Sequence, residues 1–183
     1  MARQILFVQG AGEGTHDRWD SKLVASLERE LGDGYTVRYP RMPGEDDPGY
    51  PAWKAALVRE FRSLEDGAIL VGHSLGGAFL IQMLAEQPPH RRFGGLYVIA
   101  APFIGEGGWP SEDMGDFQDV SGRLPAGIPL FLYHGADDAE VPSAHVRLYA
   151  KALPHAVVRT LERRDHQLND DMSDVARDIR SVG

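Results

Sequence analysis

Six short runs of β-branched and aromatic residues alternate with stretches of helical periodicity along the sequence, and few folds accommodate that alternation. The strand candidates are Gln4 to Val8, Tyr35 to Tyr39, Ala68 to Val71, Leu96 to Ala100, Leu130 to His134 and Ala156 to Leu161. Most lack polar alternation, as strands covered on both faces do. Strands separated by helices pair as parallel neighbours through crossovers, so the predicted class is α/β: a three-layer α/β/α sandwich around about six mostly parallel strands.

The intervening segments carry the covering helices. Trp19, Leu23, Leu27 and Leu31 share one face of a helix predicted to end at Gly32, and Trp53, Leu57, Phe61 and Leu64 do the same in the next. Residues 76–86 are apolar on nearly every face, which predicts a central buried helix; further helices are expected over about 143–153 and 171–182. Residues 102–127 show no periodicity and are rich in Gly, Pro and acids, so a short lid or pocket loop is expected there. At 183 residues the sequence predicts one domain over 1–183.

Composition excludes several classes of function. Nineteen Lys and Arg against 27 Asp and Glu give a net charge of −8, which repels nucleic-acid backbones and anionic membranes. There are no cysteines, so disulfides, thiolate metal sites and cysteine nucleophiles are ruled out together. The apolar run near the start, Ile5 to Val8, is too short for a signal-peptide core, and none approaches the roughly 20 residues of a membrane span; a cytoplasmic location is expected.

The most specific local pattern is Gly72-His73-Ser74-Leu75-Gly76-Gly77, which follows an apolar strand and opens a helix. A bare GxSxG is weak; the strand-turn-helix setting gives it meaning. A sharp turn forces Ser74 into strained backbone angles and lifts its hydroxyl clear of the sheet, and the flanking Gly72 and Gly76 lack the Cβ atoms that would collide there. The helix start offers N–H groups where an oxyanion would form. Adjacent residues in a turn point apart, so His73 is expected to pack behind the serine and not to act as its base.

A serine nucleophile needs a histidine to take its proton and a carboxylate to orient that histidine. In the order Ser, acid, His, each after its own strand, the sequence offers Asp137 and Asp138 after the fifth strand and His166 after the sixth. The Asp137-Asp138 pair leaves two candidate acids, one of which has only the turn-forming role common for Asp in loops. His16, His90, His145 and His155 fall outside the triad order and are expected on the surface.

Together, GHSLGG, HGADDAEVP and a last loop histidine before a C-terminal helix resemble the α/β-hydrolase fold in a compact form. The small size and the segment YPRMPGEDDPGYPAW further resemble compact serine hydrolases related to retinoblastoma-binding protein nine. The family pattern HGxxDxxVP falls on Asp138 as the acid. The resemblance implies a Ser74–His166–Asp138 triad and an oxyanion hole built from the backbone N–H groups of Ala11 and Leu75, with Gly12 as an alternative donor. Gln9 stands where related enzymes carry a histidine; main-chain donors tolerate that change.

The glycine-rich loop at Gly10 to Gly14 lacks GxGxxG spacing, so no nucleotide cofactor is expected, and no metal. Pocket walls are expected from Gly10, Gly12, His16, Tyr50, Phe103, Ile104 and Trp109, the last four as an apolar acyl site. Five acids between Glu106 and Asp119 are expected to form a solvated face; the alternative is a loop whose charge disfavours anionic substrates. The expected activity is hydrolysis of a small carboxylic ester or thioester through an acyl-enzyme. Amide or peptide hydrolysis by the same triad, and a protein-interaction role on the same fold, are the alternatives.

Overall fold

The computed structural model describes residues 2–87 and 91–182. All six expected strands form: β1 (Arg3–Val8), β2 (Tyr35–Arg38), β3 (Ile69–His73), β4 (Gly95–Ile99), β5 (Leu130–Gly135) and β6 (Val157–Leu161). They make one sheet in the order β2-β1-β3-β4-β5-β6, and all five pairings are parallel. The helices are α1 (Ser21–Leu31), α2 (Tyr50–Ser63), α3 (Leu75–Glu86), α4 (Ala144–Ala152) and α5 (Ser173–Val182).

Because successive strand side chains point to opposite faces, the strands divide their apolar residues between two cores. Leu6, Val8, Leu70, Leu96, Val98 and Leu132 face α2, α3 and α4. Ile5, Phe7, Ile69, Val71, Tyr97 and Tyr133 face α1 and α5. Central strands β3, β4 and β5 are buried throughout, which is why they read as unbroken apolar runs.

After β1 the chain first builds β2 on one side and then returns to place β3 on the other. This reversal opens a crevice beyond the carboxyl ends of β1 and β3, where ligands bind in open α/β sheets.

Two expectations need correction. Trp19 is not on the buried stripe of α1: it is 49% exposed, while Asp20 is fully buried. A six-residue π-helical turn, Thr15–Asp20, precedes α1 and its wider winding shifts the phase, so extrapolating the 3.6-residue period back from Leu23 misplaces the indole. His145, expected on the surface, is buried, and its Nδ1 accepts the Phe103 N–H at 2.8 Å. His155 is exposed, and His90 lies outside the described residues.

Residues 102–127 pack against the body of the protein. Phe103, Ile104, Met114, Phe117, Val120 and Leu124 are buried in the α2–α3–α4 core, spaced too irregularly to show a period. Ile104 and Trp109 pair in an isolated bridge, and the Asp116 carboxylate accepts the N–H groups of Glu106 and Gln118.

Candidate active site

Ser74 sits between the last residue of β3 and the first turn of α3 at φ 51°, ψ −126°, a backbone conformation L-residues rarely adopt. Close packing around the turn explains its glycines. A Cβ on Gly72 would lie 2.6 Å from Gly77 Cα, and one on Gly76 would strike the Gln9 carbonyl oxygen. The Ser74 N–H donates to Ile99 O at 2.7 Å, which stitches the strained residue to the end of β4.

The two loops beyond β5 and β6 bring the histidine and a carboxylate to this serine. His166 Nε2 is 3.0 Å from Ser74 Oγ, and His166 Nδ1 is 2.8 Å from Asp138 Oδ2. A carboxylate only accepts, so Nδ1 is the donor to Asp138, and Nε2 is the ring nitrogen that faces the serine hydroxyl. Asp138 Oδ1 accepts the N–H groups of Glu140 and Val141, both at 2.9 Å. Burial pushes this carboxyl up; the His166 hydrogen bond and those two N–H groups outweigh it and hold the group below its ordinary value, hence ionised. Asp137 is exposed on the cleft wall, and its N–H donates to Arg164 O at 2.9 Å.

The loop after β1 is organised by a residue that sequence reasoning missed. Glu45 accepts the N–H groups of Gly14 and His16 at 3.2 and 3.0 Å and the Gln9 side-chain amide at 2.7 Å. Gln9 Oε1 in turn accepts the Met42 N–H at 2.9 Å. Gln9 therefore ties the loop to residues 42–45. The Gly12 N–H is engaged, donating to the Glu45 carbonyl at 2.6 Å, and Ala11 lines the same cleft as Ser74.

Ser74 and His166 open onto a cleft of about 410 Å³, lined by Gly10, Ala11, Gly12, Glu13, Thr15, Trp19, Ala139 and Gln167 among others. The apolar acyl site expected from the sequence is elsewhere. Tyr50 is buried against Phe79 and donates its hydroxyl to Glu86 Oε2 at 2.9 Å; Phe103 packs on Phe117 and Tyr149, and Ile104 is buried. Trp109 meets the edge of His145, and His16 stacks on Tyr39 with ring centres 4.2 Å apart. Aromatics in such segments serve a core or a cleft equally well; here the core claims Tyr50 and Phe103, while Trp109 is 40% exposed and lies outside the cleft at Ser74. Among the described residues, the large apolar aromatic on the cleft wall is Trp19. Four cleft residues, Glu13, Asp137, Glu140 and Asp165, are acids, and no described lining residue is a Lys or Arg.

The sequence matches the model of the Alpha/beta hydrolase family over residues 5–180. No curated protein matches it. Among solved structures, the chain is similar to the esterase domain of a Rhodothermus marinus protein, at 23% identity and TM-score 0.70 over 99% of this chain and 88% of that one. It is similar to the ydeN gene product of B. subtilis at 18% identity and TM-score 0.77, covering 99% and 98% of the two chains. An α/β serine hydrolase without lid from Xanthomonas campestris aligns at 18% identity and TM-score 0.67, over 100% of this chain and 82% of that one. At such identities the likeness shows the fold.

Proposed function

The chain belongs to the alpha/beta hydrolase family, and from that premise we propose that it is a serine hydrolase cleaving a small carboxylic ester or thioester through an acyl-enzyme. The observation that carries this reading is the continuous hydrogen-bonded line from Ser74 Oγ through the His166 ring to a buried Asp138 carboxylate. Ser74 Oγ attacks the substrate carbonyl carbon while its proton passes to His166 Nε2, and Asp138 stabilises the resulting imidazolium. The N–H groups of Ala11 and Leu75 receive the oxyanion. When the tetrahedral adduct collapses, His166 returns the proton to the departing alcohol or thiol. Water then attacks the acyl-serine by the same route in reverse order, releasing the acid and restoring the serine.

Neighbours with esterase or serine hydrolase in their names lend the reading support, as does the resemblance to compact hydrolases related to retinoblastoma-binding protein nine. A fluorophosphonate probe tests it. The wild type should be labelled and Ser74→Ala should not; a labelled Ser74→Ala protein would refute the assignment.

A further inference from the structure

Behind the serine lies a second acid–imidazole pair that the acyl-transfer steps leave unused. The side chains of Asp20 and His73 are 0% and 1% exposed, and His73 Nδ1 is 2.9 Å from Asp20 Oδ1 and 3.0 Å from Oδ2. His73 Nε2 is 3.0 Å from the backbone carbonyl oxygen of His166. A carboxylate and a carbonyl oxygen only accept, so both ring nitrogens must carry hydrogen and the ring is an imidazolium. Burial alone would push His73 down; the charge and hydrogen bond of Asp20, with the His166 carbonyl, turn the net direction upward.

Asp20 also accepts the Gly10 N–H at 2.7 Å and the Gln167 side-chain amide at 3.3 Å. One carboxylate thus collects donors from two loops and the end of β3. Gly10 precedes Ala11 in the oxyanion loop, His73 precedes Ser74, and Gln167 follows His166. The fit is tight: a Cβ on Gly10 would lie 3.1 Å from Ser74 Cβ and 3.2 Å from His73 Nδ1. A buried ion pair is weak grounds for stability, because well-packed apolar residues of similar volume serve as well or better. What apolar residues could not do is hold these three segments by directed hydrogen bonds.

We propose that Asp20 and His73 form a buried carboxylate–imidazolium clamp that positions the oxyanion loop, the nucleophile turn and the loop of the general base relative to one another. The proposal rests on the roles given above to Ser74 and His166. Both clamp members are positioning residues, and loosening them displaces reacting groups without removing any. Misplacement of about 1 Å costs on the order of a hundredfold in rate.

The test combines kinetics on p-nitrophenyl acetate with nitrogen-15 spectra of the histidine rings in the wild-type protein. Asp20→Asn and His73→Gln should each lower kcat by about a hundredfold with KM changed less than about threefold. The double variant should be no worse than the poorer single, as expected of groups acting as one unit. At about pH 7 the wild-type His73 ring should show both N–H signals. Wild-type kcat in a folded Asp20→Asn protein, multiplying effects in the double variant, or a singly protonated His73 ring would each overturn the clamp. Should Asp20→Asn not fold, Gln167→Ala removes one donor while leaving the pair intact; a several-fold lower kcat supports the clamp, and an unchanged kcat overturns it. Ser74→Ala in the same assay separates the two claims: hydrolysis that survives there refutes the serine mechanism itself.

Discussion

Ser74 is held at φ 51° between two glycines, and the strain of such a residue costs about 1–3 kcal/mol that neighbouring contacts must offset. Gly76→Ala drives a methyl group into the Gln9 carbonyl, with the Val8 carbonyl oxygen a further 2.6 Å contact, so it should destabilise the protein by about 1–3 kcal/mol or more. Urea unfolding would show this as a lower midpoint at unchanged slope; an unchanged midpoint would mean the turn has room the packing denies. His166→Ala should cost about four orders of magnitude or more in kcat, measured on the same ester as the wild type. Ser74 is legible in the sequence through its strand-turn-helix pattern; the order of the strands narrows the other two to His166 and the Asp137-Asp138 pair, and it is the hydrogen bond to His166 that singles out Asp138. Asp20, Gln9 and Glu45 are not legible: His73 is 53 positions from Asp20, and Gln9 is 36 from Glu45. No local pattern encodes such pairs.

Among the elements, the period of apolar residues located α2, an all-round apolar stretch located α3, and the period misplaced Trp19. A period carries phase only while the helix keeps its winding, and the π-helical turn at Thr15–Asp20 breaks it. The break sends Asp20 inward and Trp19 onto the cleft, so the site depends on it. The connection from β6 to α5, which carries His166, is staked by Arg164, whose guanidinium reaches the Leu168 carbonyl at 3.1 Å and Asp171 Oδ2 at 2.5 Å. Asp171 also accepts the Ser173 N–H at the start of α5 at 2.9 Å. Burial pushes the Asp171 carboxyl up, but Ser173 and Arg164 bring it down from 3.8 to about 2. A carboxyl depressed by folding contributes stability that is fully present above its unfolded value and lost as pH falls through its folded value. Melting temperatures of wild type should therefore fall between about pH 4 and pH 2 more steeply than those of Asp171→Asn. Parallel curves would show that Arg164 and Asp171 do not hold the connection.

Across the whole molecule, the alternation of strands and helices makes the layer architecture legible, and the strand order then locates the site in the crevice beyond the carboxyl ends of β1 and β3. The role of residues 102–127 was not legible, because Gly-rich, acidic sequence with scattered aromatics reads as a loop whether or not its apolar side chains are buried. None of them lines the cleft at Ser74. A cleft of about 410 Å³ without a cover from that segment suits a small acyl group. In a p-nitrophenyl ester series kcat/KM should peak at acetate to butyrate; a peak at long chains would contradict an open site. The net charge of −8 and four acids on the cleft walls should also slow esters bearing a carboxylate relative to neutral analogues. That gap should narrow as salt is added.

The most direct measurement is mass spectrometry of the wild type quenched in acid during turnover of p-nitrophenyl acetate. One acetyl group should be found on the peptide containing Ser74, and none on that peptide from Ser74→Ala. Turnover with no acetylated Ser74, or with the acetyl group on another residue, would contradict an acyl-enzyme mechanism centred on this serine.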